Sequence, residues 1–111
     1  MKRSIVTHKL GFLGLVLLPL IGCAAALPHA TEADAARVTS RYPDANVSQL
    51  EHGRALYVER CAGCHQLRDP ASETPLAWPH LVAEMRDDHG VHLTRDEERG
   101  IDAYLVSVSS R

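Results

Sequence analysis

Two cysteines three positions apart and a histidine directly after them, Cys61-Ala62-Gly63-Cys64-His65, constrain this chain more than any other stretch of it. Two thiols on one turn can each add to a vinyl group of the same porphyrin, and the adjacent imidazole then lies under the iron as its proximal ligand. C-x-x-C-H is thus the spacing of covalent haem attachment. A zinc site, a redox dithiol or a disulfide would also use a C-x-x-C pair. A zinc site needs a second ligand pair, and the only other cysteine, Cys23, lies 38 positions upstream in a segment of different character. A thioredoxin-like dithiol belongs in a βαβ context, and no strand pattern follows His65. One covalent haem c is the expected cofactor, with a redox dithiol as its main competitor.

The amino terminus bears on compartment. Lys2, Arg3 and Lys9 make a positive start, and Leu10 to Leu20 is an uncharged apolar run of eleven residues. That pattern is an export signal, too short for a comfortable membrane span. It ends in Leu20-Ile21-Gly22-Cys23, which resembles the lipobox of bacterial lipoproteins, in which the cysteine is acylated and becomes the first mature residue. Residues 1–22 are therefore expected to be a lipoprotein-type signal peptide and Cys23 the lipidation site, with an ordinary signal cut near Ala24-Ala25-Ala26 or an uncleaved anchor as alternatives. The mature chain is expected on the periplasmic side, held to a membrane by lipid. By resemblance to lipoproteins, Ala24 in the following position suggests outer-membrane sorting. With Cys23 taking lipid and Cys61 and Cys64 taking haem, no thiol is left over.

Twenty-two residues removed from 111 leave 89, one small domain of marginal core size. A porphyrin changes that balance, because it is a large apolar body around which a short chain can fold. The nine cations beyond the signal are all arginine and face fourteen Asp and Glu, a net charge of −5 before haem propionates. No lysine ring is available for an acidic partner, and nucleic-acid binding is unsupported. A redox partner with a basic docking face suits this charge better.

Residues 23–47 are Ala-rich and polar, with Pro28 and Pro43, and predict a flexible tether with a short helix around Glu32 to Val38. The folded domain is expected over 48–111. Ser48 and Glu51 stand at capping-box spacing and open a helix that runs through Leu50, Leu56 and Tyr57 into the haem motif. Asp69 to Pro75 is a loop by composition. A helix follows from Leu76 or Trp78 to Arg86, with Pro79 tolerable in its first turn. Thr94 and Glu97 form a second box before Ile101, Tyr104, Leu105 and Val108, which recur at i, i+3, i+4 and i+7, and Leu93 could pack as a staple. His29, His52 and Asp96-Glu97-Glu98 read as solvated surface.

Taken together, Gly53-x-x-x-Tyr57 ahead of Cys61-Ala62-Gly63-Cys64-His65, a later methionine and a last helix ending in Tyr104-Leu105 resemble the small class I cytochromes c. The resemblance covers about Leu50 to Ser107. It implies an all-α fold wrapped around one covalent haem, with the first and last helices crossing near Gly53 and Tyr104, where a missing side chain permits close approach. It implies His65 as proximal ligand and Met85, the only methionine beyond the signal, as the distal one. Met85 departs from the family in being followed by Arg86 rather than proline and in lying on a helical stretch, although a subset of small cytochromes has a similar W-x6-M arrangement. His80, His89 and His92 compete for the sixth position. Pro70 or Pro75 could supply the carbonyl that accepts the His65 Nδ1 proton, and Trp78 could pack on the porphyrin edge.

The function expected from this pattern is one-electron transfer between periplasmic or membrane-associated redox partners, without catalysis, as a free carrier or as a subunit of a larger oxidoreductase. The alternative is a haem enzyme subunit or gas-binding sensor with an open or His-ligated sixth site.

Overall fold

The computed structural model describes residues 26–111, so the signal peptide and Cys23 lie outside the described residues. The described residues are all-α: helices α1 (Glu32–Val38), α2 (Val47–Cys61), α3 (Trp78–Asp88) and α4 (Arg95–Ser109), with a 3-10 turn at Pro70–Ser72. No helix among the described residues is long and apolar enough to cross a membrane.

Helix α4 is the centre of the fold. Its expected apolar face, Ile101, Tyr104, Leu105 and Val108, is buried, and so are Ala103, Val106 and Ser107. Burial on more than one face follows because α1, α2, α3 and the 3-10 turn all pack against it. Its N-terminus carries the expected capping box, with Thr94 and Glu97 bonding each other's backbone N–H. The acidic run beyond it is not merely solvated. Glu97 accepts from Arg60 of α2 at 2.6 Å, and Glu98 pairs with Arg86 of α3.

α2 crosses α4 at Gly53, where a Cβ would lie 2.1 Å from the Gly100 carbonyl oxygen and 3.1 Å from Tyr104 Cβ. The two helices thus touch backbone to backbone, and Gly53 is required by that contact rather than being a tolerated weakness in α2. The start of α2 differs from expectation. Its cap is Asn46, whose side chain accepts from Gln49 N at 2.9 Å, not Ser48. Glu51 reaches outside its own helix, accepting from Ala30 N at 2.7 Å and lying 3.1 Å from His29 Nδ1.

The tether expected over 23–47 is corrected by these contacts for the residues from Leu27 onward, which are folded onto the body. The short helix forms where expected, capped by a Thr31–Asp34 box. It buries Ala35 and Val38 and is followed by the buried Tyr42, whose ring lies under the Arg41 and Arg99 guanidiniums at 5.6 and 5.4 Å. Asp34 is fully buried and accepts from Arg111, Arg37 and Thr31. Arg111 does most to hold its carboxyl well below the usual range, against the opposing effect of burial. A buried charge satisfied in this way fixes α1 against the end of α4, and a polar, Ala-rich composition carries no signal of it.

A second acid is less well served. Among the described residues, Asp102 Oδ1 is buried without a hydrogen-bond partner. Burial, helped by the charge of Glu98 and opposed by Arg41 and Arg86, pushes this carboxyl up to about 7. Because that lies above its ordinary 3.8, the folded chain keeps a proton that the unfolded chain releases, so stability falls as pH rises between those two values. Asp102→Asn is therefore expected to raise the melting temperature near pH 8 by a few degrees, on the order of 1 kcal/mol after allowing for solvent screening, and to change little near pH 4. Thermal unfolding at the two pH values checks this.

Candidate functional site

The last turn of α2 delivers Cys61, and the following turn carries Cys64 and His65 outward. All three border one cavity of about 460 Å³, a size typical of small-molecule and cofactor sites. Its floor is Tyr57 of α2. One wall is the face of α3 made by Trp78, Leu81, Val82 and Met85, and Val91 and Leu93 close it from the segment before α4. Arg60, Arg68, Glu84 and His89 supply the polar part of the lining.

Trp78 and Tyr57 hold the cavity open from below. Trp78 is 2 % exposed, and its Nε1–H donates to the Pro70 carbonyl at 3.0 Å. The Tyr57 hydroxyl donates to the Arg68 carbonyl at 3.0 Å, and burial pushes that phenol up to about 12. The two rings meet edge to face at 6.2 Å. Both hydrogen bonds tie the 66–77 segment to the helices that line the cavity.

His65 Nδ1 lies 2.8 Å from the Gln66 carbonyl oxygen. A carbonyl only accepts, so Nδ1 carries the proton and Nε2 keeps a free lone pair, the tautomer that a metal ligand needs. Neither Pro70 nor Pro75, the two candidates for this role, takes it, because the His65 ring already meets the Gln66 carbonyl; the Pro70 carbonyl receives Trp78 Nε1–H. Which carbonyl meets the ring depends on the path of the chain after the motif, and composition does not specify that path.

The thiols are unlike those of a reactive dithiol. Burial, and then the neighbouring Cys64, push the Cys61 thiol up. Cys61 also closes α2 at its C-terminal end, where the helix dipole disfavours a thiolate. Redox dithiols have the opposite arrangement, with the attacking cysteine at a helix N-terminus and its pKa lowered. No group of three or more His, Cys, Asp or Glu side chains converges as a metal-ion site among the described residues.

Met85 is half-buried and faces the cavity from within α3 rather than from a loop. Of the three competing histidines only His89 lines the same space, from the residue that caps α3. Gly90 follows with φ of +68°, a left-handed turn that glycine takes without penalty, and Val91 N–H donates back to the Met85 carbonyl at 3.1 Å. His80 and His92 are exposed and lie outside the cavity lining. Leu81, Val82, Val91, Arg60, Arg68 and Glu84 line the cavity without having been expected there. For the first two the signal was present, since Trp78, Leu81, Val82 and Met85 stand at i, i+3, i+4 and i+7 of α3.

Comparisons of the chain with family models, with curated proteins and with solved structures return no match.

Proposed function

We propose that the domain carries one covalently attached haem c and moves single electrons between redox partners. The observation that carries this reading is that Met85, 20 positions beyond His65 and on another helix, borders the same apolar-walled cavity as Cys61, Cys64 and His65. The residues present fit the group: two thiols at the rim, an imidazole with an available Nε2, a thioether from another helix, and walls of Trp78, Leu81, Val82, Val91 and Leu93. Cys61 and Cys64 would hold haem by adding their S–H bonds across its two vinyl groups, each forming a carbon–sulfur bond while the thiol hydrogen goes to the other vinyl carbon. When bound, haem supplies an iron that gains or loses one electron without group transfer.

The chain's own residues do the rest. The two thioethers fix the cofactor in register with α2. The Gln66 carbonyl accepts from Nδ1 and so orients the His65 ring. Met85 offers a soft thioether, which favours the reduced metal and a higher potential. Apolar walls exclude water, which keeps the solvent response to a change of charge small. His65 and Met85 would together hold the iron and leave it no open position for a substrate, as a carrier rather than an enzyme or a gas sensor requires.

The sixth ligand is tested directly. The ferric protein should show the weak charge-transfer band at the red end of the visible spectrum that reports sulfur–iron bonding, and Met85→Ala should abolish it. Survival of the band in that variant, or its absence from the native protein, contradicts the Met85 assignment. His89, one turn beyond Met85 on the same wall, is the second candidate, and a spectrum altered by His89→Ala but not by Met85→Ala would favour it. Carbon monoxide binding to the native reduced protein would favour an open site.

A further inference from the structure

Leu27 to Ala30, ahead of the Thr31 cap of α1, form a strap across the α2–α4 crossing. The Leu27 carbonyl accepts from Arg54 Nε and Nη2, both at 3.3 Å. The Pro28 carbonyl accepts from the Tyr104 hydroxyl at 2.8 Å, and the His29 carbonyl from Arg111 Nη2 at 2.6 Å. Ala30 N–H donates to Glu51 at 2.7 Å. Every residue of the strap is thus bonded to the body, and Leu27 and Ala30 also pack against the core.

A strap held in this way shortens whatever joins the domain to Cys23. Only residues 24–26 remain between the lipidation site and the first bonded residue, and however they are arranged the chain from Cys23 to Leu27 spans at most about 14 Å. From Arg54, which holds Leu27, to Cys61 at the rim of the cavity is seven residues of α2, about 10 Å along the helix. The cavity therefore lies within a few tens of ångströms of the lipid anchor at full stretch.

We propose that the domain is held at the bilayer surface with its strapped face toward the lipid, so that the redox partner of the cavity is itself a membrane-bound protein. The inference rests on acylation of Cys23 and on the haem reading above. A partner reached through so short a leash needs no long-range electrostatic capture, which suits a surface whose arginines are largely committed to ion pairs within the domain.

The test uses the full chain, processed in a bacterial host and reconstituted on a supported phospholipid bilayer, beside a variant with about twenty Gly and Ser residues inserted between Ala26 and Leu27. The insertion leaves the strap and the fold intact. Neutron reflectivity, which needs no haem, should place the native protein layer directly on the headgroups. The variant should be raised by on the order of 20 Å, the span of a flexible chain of that length. In vesicles carrying a lipid tagged with ferrocenium, which takes one electron and becomes ferrocene, the rate of oxidation of the reduced protein should fall roughly 15-fold in the variant, following the −3/2 power of linker length. A native layer separated from the bilayer by water, or equal heights and equal rates for the two proteins, overturns the leash. A chain that washes off the bilayer and lacks acyl mass overturns the lipidation of Cys23 and the leash with it. A chain that is retained flush with the bilayer but has no haem absorbance instead overturns the haem reading and the redox partner.

Discussion

Gly53→Ala is expected to lower the melting temperature by more than 10 °C, while Gly100→Ala, on the other side of the same contact, leaves it unchanged or slightly higher. The asymmetry comes from which atoms meet. A Cβ on Gly53 would lie 2.1 Å from the Gly100 carbonyl oxygen and 2.7 Å from its carbon, both backbone atoms of α4 that no rotamer change can move. A Cβ on Gly100 would lie 3.8 Å from Leu56 Cδ1 and 3.9 Å from Gly53 Cα, which is ordinary contact. Both changes gain up to about 1 kcal/mol of helix propensity. At Gly53 that gain is outweighed by forcing apart the two longest helices, at or above the usual ~3 kcal/mol limit of overpacking. For a domain of this size each kcal/mol shifts the melting temperature by roughly 4–8 °C. Thermal unfolding of the two variants under one condition checks the ordering.

The second large effect concerns the thiols. With Cys61 and Cys64 both changed to Ala, the haem remaining on the denatured polypeptide should fall to background, whereas either single variant keeps one point of attachment. The double variant should also lose stability, because a cavity of about 460 Å³ walled by Trp78, Leu81 and Val82 is then filled only by reversible binding. A ligand held at ~1,000 times its Kd contributes about 4 kcal/mol, and that contribution becomes dependent on free haem once the covalent links are gone. For a small domain with a marginal core, this is the difference between a folded and a partly folded population. Haem absorbance of the denatured chains and urea titration of the native ones measure the two parts.

The parts of the fold legible in the sequence are those written in local periodicity. The face of α4, the Thr94–Glu97 box and the extent of α1 follow from spacing and capping, and Gly53 with Tyr104 marked the crossing. Gly100 did not, because a glycine inside a polar helical stretch has no pattern that distinguishes a contact from a tolerated weakness. Asn46 was hidden by Ser48 and Glu51, which offer a better box on paper, yet Glu51 is drawn away by Ala30 N–H and His29 from a segment that composition assigns to a tether. The burial of Asp34 depends on Arg111, 77 residues away, and no local rule carries that information. At the site, the motif marked Cys61, Cys64 and His65 and the family resemblance brought in Met85, whereas the helical row Trp78, Leu81, Val82 and Met85 that lines the cavity went unread. The carbonyl that orients His65 and the choice of His89 over His80 and His92 depended on chain paths in three dimensions.

Mass spectrometry of the denatured, acid–acetone-extracted polypeptide tests the central claim most directly. The account predicts the mature chain plus the mass of one iron protoporphyrin, confined on proteolysis to the peptide that contains Cys61 to His65. A chain carrying no added mass on that peptide, with Cys61 and Cys64 as free thiols or two hydrogens lighter as a disulfide, would contradict it.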